Sequence, residues 1–340
     1  MRILYISDRG KGGIKNHVRC LLECLKGVEG IETYCIGEDE PFAGKSGHDF
    51  AEWKQIRRVI KTFKPDLIHF HTIPFFMGLY VKGFVNKPVF VSVHTKFSIR
   101  TSLKECVLRW FVKGAFYLPV SKTVVDELKK YLKSDEYEVF YNPVKISKED
   151  KGVQSNSKST NPLIIGLVGR NAEIKDWPSF LEVAHTLNKK GCDVEFWGVG
   201  IEPQEAVMAF GEKANLVKWK GFQLNGREWI SKMDIFVLTS QSEQMPTVVL
   251  EAFAEKTAIC GFIPDGGMRE ILEYSNGSLR EVFIKERNID KLSQIVAMLI
   301  LSKQKRASVV EDGWQIVTNH FDAVKNCRGQ LLEIYRRFAK

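Results

Sequence analysis

Residues 235–254 read IFVLTSQSEQMPTVVLEAFA, which passes from an apolar run through a polar loop into a helical pattern. The run Ile235–Leu238 is short and rich in β-branched and aromatic residues, as in a strand buried on both faces. Pro246 suits the first turn of a helix that continues toward Ala254. The stretch therefore predicts one strand–loop–helix unit of an α/β fold.

The same alternation of strands and helices extends through both halves of the chain, which predicts parallel sheets. In the first half the predicted strands are Ile3–Ser7, Thr33–Ile36, Leu67–Phe70, Val89–Val93, Leu118–Ser121 and Val139–Tyr141. In the second half they are Leu163–Val168, Val194–Trp197, Leu216–Lys218, Ile235–Leu238 and Ala258–Cys260. A helix is predicted over Pro178–Lys190, and a last one has an apolar side of Val324, Cys327, Leu331, Ile334 or Tyr335, and Phe338.

A polar stretch over residues 147–160, SKEDKGVQSNSKST, separates the two halves and reads as a linker. We expect an N-terminal domain over residues 1–150 and a C-terminal domain over 161–321. Helix 322–340 is expected to pack back on the first domain. Two doubly wound domains would direct the carboxyl ends of their strands toward a shared cleft, where ligands of such sheets bind.

Two carboxylates flank the helix start in the quoted stretch. Glu243 follows the strand, and Glu251 lies about one and a half turns into the helix. The helix start over Met245, Pro246, Thr247 and Val248 offers free N–H groups, from its residues other than the proline, and the positive end of the helix dipole. This arrangement predicts a receptor for a sugar nucleotide, with Glu251 on the ribose hydroxyls, Glu243 on the sugar and the N–H groups on a phosphate or sugar.

The composition excludes several classes of protein. A hydrophobic fraction of 44% and a charged fraction of 27% are ordinary for a globular chain and exclude disordered, collagenous and coiled-coil proteins. No run of eighteen apolar residues occurs, and the apolar segment at the N-terminus is too short for a signal peptide, so we expect a cytoplasmic protein. The seven cysteines form no C-x-x-C pair, which favours reduced thiols over disulfides or zinc.

The net charge of +9 lies entirely in the first half, because residues 1–160 carry 27 Lys and Arg against 18 Asp and Glu. These cations are concentrated in two segments. The first has helical spacing and contains Lys54, Arg57, Arg58 and Lys61, and the second is rich in aromatic residues and contains Lys96 and Arg100. Such a surface suits anionic lipid headgroups, a phosphorylated glycolipid or nucleic acid. A solvated helix face is the alternative.

Several motifs, taken in order, resemble those of the retaining glycosyltransferases of family 4, which have the GT-B fold. Glu243 and Glu251 match the family's E-x7-E pattern. The segment Gly12-Gly13 resembles its glycine loop, and Gly169-Arg170 with Lys175 resembles its G-R…K segment. Further matches are His71, His94, Val120-Ser121, Tyr141-Asn142-Pro143 and Asp265-Gly266-Gly267 with Glu270.

The resemblance implies how the site works. Gly12, Gly13, Arg170 and Lys175 are expected to stabilise the diphosphate of the leaving group, and the sequence has no Asp-x-Asp motif to hold a metal there. No cofactor or metal is therefore expected. His94, which ends an apolar strand, is expected to act with Glu243 as a catalytic residue near the reacting carbon. His69 and His71 are expected to be structural.

The implied activity is transfer of a hexose or N-acetylhexosamine from a nucleotide sugar, favoured as UDP-linked, to a saccharide or lipid-linked saccharide of the cell envelope. An anionic membrane surface is the further expected partner, and nucleic acid is not. Gln244 stands where the family usually has Gly, which makes the donor sugar harder to infer. The alternatives are a sugar-nucleotide epimerase on the same fold and a non-catalytic binding module.

Overall fold

The computed structural model describes residues 1–7, 12–43, 50–71, 87–94, 114–129, 133, 135–146 and 162–339. The chain divides into two compact units. Unit 1 comprises Met1–Lys145 together with Asp322–Lys340, and unit 2 comprises Ile146–Phe321. Each contains a parallel β-sheet, so the predicted α/β class with parallel sheets is confirmed.

The unit 1 sheet has five strands in the order β2-β1-β3-β4-β5. They are β1 (Arg2–Ile6), β2 (Glu32–Ile36), β3 (Leu67–Phe70), β4 (Val89–Val93) and β5 (Ala115–Pro119). The α-helices among the described residues of its N-terminal part are α1 (Gly13–Leu25), α2 (Phe50–Phe63) and α3 (Lys122–Leu128). All residues of β3 and β5 are buried, which explains their nearly continuous apolar sequence.

The unit 2 sheet has six strands in the order β13-β11-β9-β6-β7-β8, and a separate pair joins β10 to β12. The strands are β6 (Leu163–Val168), β7 (Val194–Val199), β8 (Lys218–Trp219), β9 (Ile235–Leu238), β10 (Ser242–Glu243), β11 (Ala258–Phe262), β12 (Asp265–Gly266) and β13 (Phe283–Ile284). The α-helices are α4 (Trp177–Lys189), α5 (Pro203–Phe210), α6 (Gly226–Ile230), α7 (Thr247–Ala254), α8 (Met268–Glu273), α9 (Ser278–Val282), α10 (Ile289–Leu301) and α11 (Lys303–Ile316).

The chain returns to unit 1 at Asp322 and ends in α12 (Arg328–Phe338). The backbone N–H of Ala323 donates to the carbonyl of Val144 at 2.9 Å, which fixes the point of return. Helix α12 then buries four side chains in the core of unit 1: Leu331, Leu332, Ile334 and Tyr335.

Two residues predicted on the apolar, buried side of the last helix, Val324 and Phe338, are exposed. Val324 is 48% exposed, because residues Ala323–Cys327 form a π-helical turn whose period differs from the 3.6 residues assumed. Phe338 is 38% exposed, although its ring still contacts the rings of Phe90 and Phe116.

Seven of the predicted strands differ from the structure: β1, β2, β7 and β11 do so by one or two residues at their ends, and three others differ as follows. Strand β5 ends at Pro119, since Ser121 caps α3 by accepting a hydrogen bond from the Val124 N–H. Residues 139–141 form no strand, although Phe140 donates to the carbonyl of Pro119. Strand β8 begins at Lys218 and not at Leu216 as predicted, because residues Gly211–Leu216 form a 3₁₀ turn. The predicted linker over 147–160 lies outside the described residues.

Within the described part of the chain, no helix is both long and apolar enough to cross a membrane.

Candidate functional site

Glu243 lies in a short strand that the sequence did not predict. After β9, the chain pairs Ser242 with Asp265 and Glu243 with Gly266. Gly266 has a φ of +122°, and a Cβ atom there would overlap the carbonyl of Glu243. Only glycine allows this close approach of two backbones, so Gly266 determines where the Glu243 carboxylate stands.

The predicted diphosphate residue Lys175 and the predicted sugar residue Glu243 form an ion pair. The Lys175 Nζ lies 2.5 Å from Glu243 Oε1, and both side chains are 15% exposed. The Lys175 stem packs over Gly169, and the Thr239 hydroxyl donates to the Lys175 carbonyl at 2.9 Å. The loops that follow β6 and β9 are thereby held together at the carboxyl edge of the unit 2 sheet.

Arg170 lies in the loop after β6 and is exposed. Its carbonyl accepts a hydrogen bond from the indole N–H of Trp177 at 3.1 Å, which holds the backbone in place. Among the described residues, its guanidinium has no hydrogen-bond or ion-pair partner. The Arg170 cation is therefore available to a ligand, whereas Lys175 is already paired.

Helix α7 begins at Thr247, one residue later than predicted, with Pro246 as its cap. The first N–H groups to bond within this turn are those of Val249 and Leu250, which donate to the Pro246 carbonyl. The N–H groups of Thr247 and Val248 come before these bonds, as at any helix start. Met245 and Pro246 are buried, whereas Thr247, Val248 and Glu251 are partly exposed.

Arg287 is a residue of this site that sequence reasoning missed. It donates to the carbonyl oxygens of Thr239 at 2.6 Å and Ser240 at 3.2 Å, pairs with Asp176, and lies over the ring of Phe262. It therefore fixes the loop that leads from β9 to Glu243. Arg287 lies 44 residues after Glu243 in the sequence, so no local sequence pattern predicts its contact with this loop.

In unit 1, Gly12 caps α1 and Gly13 is its first residue, and both are exposed. The backbone of Gly12 is extended, and among the described residues beyond its chain neighbours no atom lies within 4 Å of the position of a Cβ there. The described structure around Gly12 thus leaves space beside the helix start.

Three histidines from different elements of unit 1 meet where the parallel strands end. His17 belongs to α1, His71 follows β3 and His94 follows β4. One ring nitrogen of each lies within 4.8 Å of the others, and His71 Nδ1 lies 3.3 Å from His94 Nε2. The sequence analysis assigned no role to His17, whose place depends on the packing of α1 against the sheet.

His69, beside this cluster, is a core residue with both ring nitrogens bonded. Nδ1 lies 2.6 Å from the Tyr335 hydroxyl, and Nε2 lies 2.9 Å from the Ser92 hydroxyl. The Tyr335 hydroxyl also lies 3.0 Å from that of Tyr5. His69 therefore connects the sheet to α12.

The surroundings keep all four imidazoles neutral. Burial lowers the pKa of His69 to about 3 and that of His94 to about 4. Burial also holds the pKa values of His17 and His71 well below the usual range, and the neighbouring histidines lower them further. A neutral His94 can orient a hydroxyl group by hydrogen bonding without adding a positive charge.

Helix α2 exposes the basic residues that the sequence indicated. Lys54, Arg57, Arg58 and Lys61 are all exposed, while Ile56 and Val59 are buried on the opposite side. Arg58 is paired with Glu40, with Nη2 2.6 Å from Oε2. The predicted surface residues Lys96 and Arg100 lie outside the described residues.

Exposed aromatic residues lie beside these cations. Phe50 is 63% exposed and stacks on Trp53 with the ring centroids 4.9 Å apart. The Lys54 ammonium lies over the Phe50 ring, and the Arg57 guanidinium lies over the Trp53 ring. The α2 face, defined by Phe50, Trp53, Lys54, Arg57 and Lys61, is both cationic and aromatic.

Comparison with protein families gives a match for each half of the chain. Residues 11–148 match the family described as "Glycosyltransferase Family 4", and residues 162–302 match "Glycosyl transferases group 1". The chain is a glycosyltransferase of the group 1 and family 4 type. The residues that carried the resemblance in the sequence lie within these two segments, and the expected enzyme class is confirmed.

One curated relative of this glycosyltransferase is TuaC of Bacillus subtilis, described as a teichuronic acid biosynthesis glycosyltransferase. The two are 28% identical over 134 residues, which is 37% of this chain and 33% of TuaC. The alignment thus spans about a third of that relative.

Solved structures support the GT-B fold of this glycosyltransferase. Sucrose-phosphate synthase from Thermosynechococcus elongatus matches with a TM-score of 0.76 at 16% identity, over 99% of this chain and 98% of its own. Anabaena HepE in complex with UDP-glucose matches with a TM-score of 0.76 at 19% identity, over 99% and 100%. The expected fold of two Rossmann-like domains is confirmed.

Proposed function

We propose that this chain is a retaining glycosyltransferase that uses a UDP-linked hexose or N-acetylhexosamine and a saccharide or lipid-linked saccharide acceptor. We assign it to the synthesis of a cell-envelope polysaccharide. The relation to TuaC supports the pathway, and the UDP-glucose bound by HepE supports the donor class.

The observation that carries the proposal is the group of Arg170, Lys175 and Glu243 at the carboxyl edge of the unit 2 sheet. Ligands of open α/β sheets bind at this edge. A departing nucleoside diphosphate gains negative charge, and fixed cations stabilise that charge most when the transition state is reached. Arg170 supplies an exposed cation, and Lys175 supplies a second one that Glu243 holds in position.

The ion pair gives Lys175 and Glu243 a joint role. Before the donor binds, each neutralises the other in a partly dehydrated position. When a diphosphate arrives, Lys175 gains a doubly charged partner, and the Glu243 carboxylate becomes available to accept a hydrogen bond from a sugar hydroxyl. We propose that Glu251 and the N–H groups of Thr247 and Val248 hold the rest of the donor, with Gly12 and Gly13 contacting its diphosphate.

We assign His94 to contact with the donor sugar. Its pKa of about 4 keeps the ring uncharged at neutral pH. An uncharged ring does not repel the positive charge that develops on the sugar during transfer. It can accept or donate one hydrogen bond to a sugar hydroxyl.

A donor assay tests these assignments. Purified protein is incubated with a panel of UDP- and GDP-sugars, and nucleotide release is recorded with magnesium and manganese removed. Arg170→Ala and Lys175→Ala should each lower kcat/KM by roughly 10²–10³. Lys189→Ala, an exposed cation at the end of α4, is the matched control and should have no effect.

The outcomes separate the alternatives. Release of UDP without an acceptor, accelerated by saccharide fragments, supports the transferase. Inversion of the sugar without transfer would indicate the epimerase, and tight binding without turnover would indicate the binding module. Activity that requires Mn²⁺ would contradict a diphosphate held by protein cations.

We further propose that the α2 face contacts an anionic membrane leaflet that presents the acceptor. Unit 1, including its returning C-terminal segment, carries 29 Lys and Arg against 18 Asp and Glu, whereas unit 2 carries 21 against 23. The basic bias is thus a property of unit 1, at +11 against −2. Each Lys or Arg near an anionic surface contributes about 1 kcal/mol, and interfacial aromatic rings add to this attraction.

Vesicle flotation tests the surface. Lys54→Glu, Arg57→Glu and Lys61→Glu are combined, and Arg58 is left in place because it is paired with Glu40. The triple variant should lose binding to vesicles containing phosphatidylglycerol and keep UDP-sugar turnover on a short soluble acceptor. Three exposed unit 2 cations changed to Glu form the control, namely Lys189, Lys190 and Lys303. Equal loss in both variants would mean that net charge, and not the α2 face, determines binding.

A further inference from the structure

We propose that His17, His71 and His94 form a binding site for one divalent transition-metal ion at the carboxyl edge of the unit 1 sheet. The three rings come from α1, from the end of β3 and from the end of β4. Since β3 and β4 are adjacent parallel strands, the fold itself brings His71 and His94 together, and α1 supplies the third ring. All three ligands belong to unit 1, and none is among the residues predicted to bind the diphosphate.

The spacing of the nitrogens suits a metal with nitrogen ligands. A tetrahedral Zn²⁺ with Zn–N bonds of about 2.0–2.1 Å places its ligands roughly 3.3–3.4 Å apart. His71 Nδ1 and His94 Nε2 already lie 3.3 Å apart. All three ligand atoms lie within 4.8 Å, so His17 needs a movement on the order of 1 Å to complete the set.

Missing hydrogen bonds provide the second observation. Both ring nitrogens of His17, the ligand that completes the set, are buried without a hydrogen-bond partner in good geometry among the described residues. Nε2 of His71 is also buried without such a partner, but it is Nδ1 of this ring that faces His94. Asn142 lies close enough to His17 to act on its pKa, but less strongly than burial does. A buried polar atom left without a partner costs about 1–3 kcal/mol, so such atoms normally have a ligand, ion or water nearby.

His69 shows what a purely structural histidine looks like in the same region. Its two nitrogens are bonded to the Tyr335 and Ser92 hydroxyls. It has no lone pair to offer, although its ring lies only 4.3 Å from that of His71. His71 and His94 differ from His69 because their hydrogen-bond contact joins two of the candidate ligand atoms to each other, and a shared metal ion would replace it.

The ligand set indicates the class of metal. Three neutral imidazoles without a carboxylate suit Zn²⁺, Cu²⁺, Ni²⁺ or Co²⁺, whereas Mg²⁺ and Ca²⁺ require oxygen ligands. Three protein ligands leave a fourth position of the metal open to water or to a substrate hydroxyl.

The site has a consequence for catalysis that rests on the proposed function. If His94 contacts the donor sugar, a metal bound to its Nε2 removes that contact. Zn²⁺ should then inhibit sugar transfer, and a chelator should restore it. The ion would thus be an inhibitor of the reaction and not a requirement for it.

Metal titration tests the site without any assay of turnover. Chelator-treated full-length protein is titrated with Co²⁺, whose visible absorption reports tetrahedral nitrogen coordination, and with Zn²⁺ by calorimetry. We expect one ion per chain. His17→Gln and His71→Asn should each raise the Zn²⁺ Kd by about 100-fold or more, since loss of even an outer partner costs 10–100-fold. His185→Gln, on α4 of unit 2, is the matched control and should bind as the wild type does.

Thermal unfolding shows whether each variant is folded, so that a loss of metal binding is not confused with a loss of the fold. Zn²⁺ should raise the Tm of the wild type in proportion to the logarithm of its concentration, and folded His17→Gln should need about 100-fold more Zn²⁺ for the same rise. Binding of Zn²⁺ or Co²⁺ that is equal in the wild type and in both folded variants would overturn the proposal, as would no binding at all. Failure of every donor in the panel would contradict the proposed function and leave the titration valid.

Discussion

Gly266 offers a sharp test of how the donor site is built, because Gly277 provides a matched control in the same unit. The two glycines have nearly the same φ, +122° and +127°, in a region that side chains with a Cβ rarely adopt. They differ in their surroundings. A Cβ on Gly277 meets no atom within 4 Å, whereas one on Gly266 would lie 2.7 Å from the carbonyl carbon of Glu243.

The difference between the two positions gives the expected magnitude. Alanine at either site incurs backbone strain of about 1–3 kcal/mol. At Gly266 the added carbon must also move to about 3.5 Å from its neighbour, a shift of roughly 1 Å. That shift disturbs the hydrogen bond that the single Gly267 N–H shares between the carbonyls of Glu243 and Gln244, worth about 1 kcal/mol, and the steric overlap with the Glu243 carbonyl adds backbone strain of about 1 kcal/mol. Gly266→Ala should therefore destabilise the protein by about 2 kcal/mol more than Gly277→Ala.

Thermal unfolding and donor kinetics measure the two effects separately. An extra 2 kcal/mol lowers the Tm of a unit of this size by about 4–8 °C. A misplacement of Glu243 by about 1 Å should reduce kcat/KM for the donor by about 100-fold. Gly277→Ala should lose stability only. Wild-type donor kinetics in Gly266→Ala, or an equal loss of activity in both variants, would show that Gly266 does not position Glu243.

Three further results are expected. Glu251→Gln should weaken UDP binding by about 1–3 kcal/mol in calorimetry, because a charge-assisted hydrogen bond is lost, and unchanged affinity would remove Glu251 from the ribose. Arg287→Ala should lower the free energy of unfolding by about 1–3 kcal/mol in urea titrations and raise the KM for the donor. Arg287→Lys should restore only part of both effects, because an ammonium group cannot bind several acceptors in the forked geometry of a guanidinium. Full rescue by lysine would contradict the proposal that the Arg287 guanidinium fixes the loop before Glu243. The pKa of His69 falls from 6.5 to about 3 on folding, so the free energy of unfolding should decrease as the pH drops through this range. Between pH 7 and pH 5 His69 should account for about 2 kcal/mol of that loss, and His69→Gln should lack this part of the pH dependence in urea titrations at the two pH values.

Local patterns in the sequence were sufficient for the elements that are buried on both faces. The strands Leu67–Phe70, Val89–Val93, Leu163–Val168 and Ile235–Leu238 have the predicted limits, because each is a short apolar run between polar residues. The exposed basic side of α2 was also visible, since its period matches a helix and its charges need water.

Sequence patterns did not predict contacts between segments that are far apart in the chain. The two-residue strand of Glu243 exists because Gly266, 23 residues later, allows its backbone to approach. The ion pair of Lys175 and Glu243 and the clamp by Arg287 join loops that follow different strands. A residue's neighbours in the sequence carry no information about such a partner, so these features were not predicted.

The sequence by itself determined the α/β class, the family and most of the residues of the proposed donor site, because these depend on local periodicity and on motifs that lie within one loop or helix. Only the tertiary structure decided which groups meet. It added the charge of the C-terminal segment to unit 1, paired Lys175 with Glu243, and assembled His17, His71 and His94. The physical reason is that parallel strands place residues far apart in the chain at one edge of a sheet, where their charges and lone pairs act on one another.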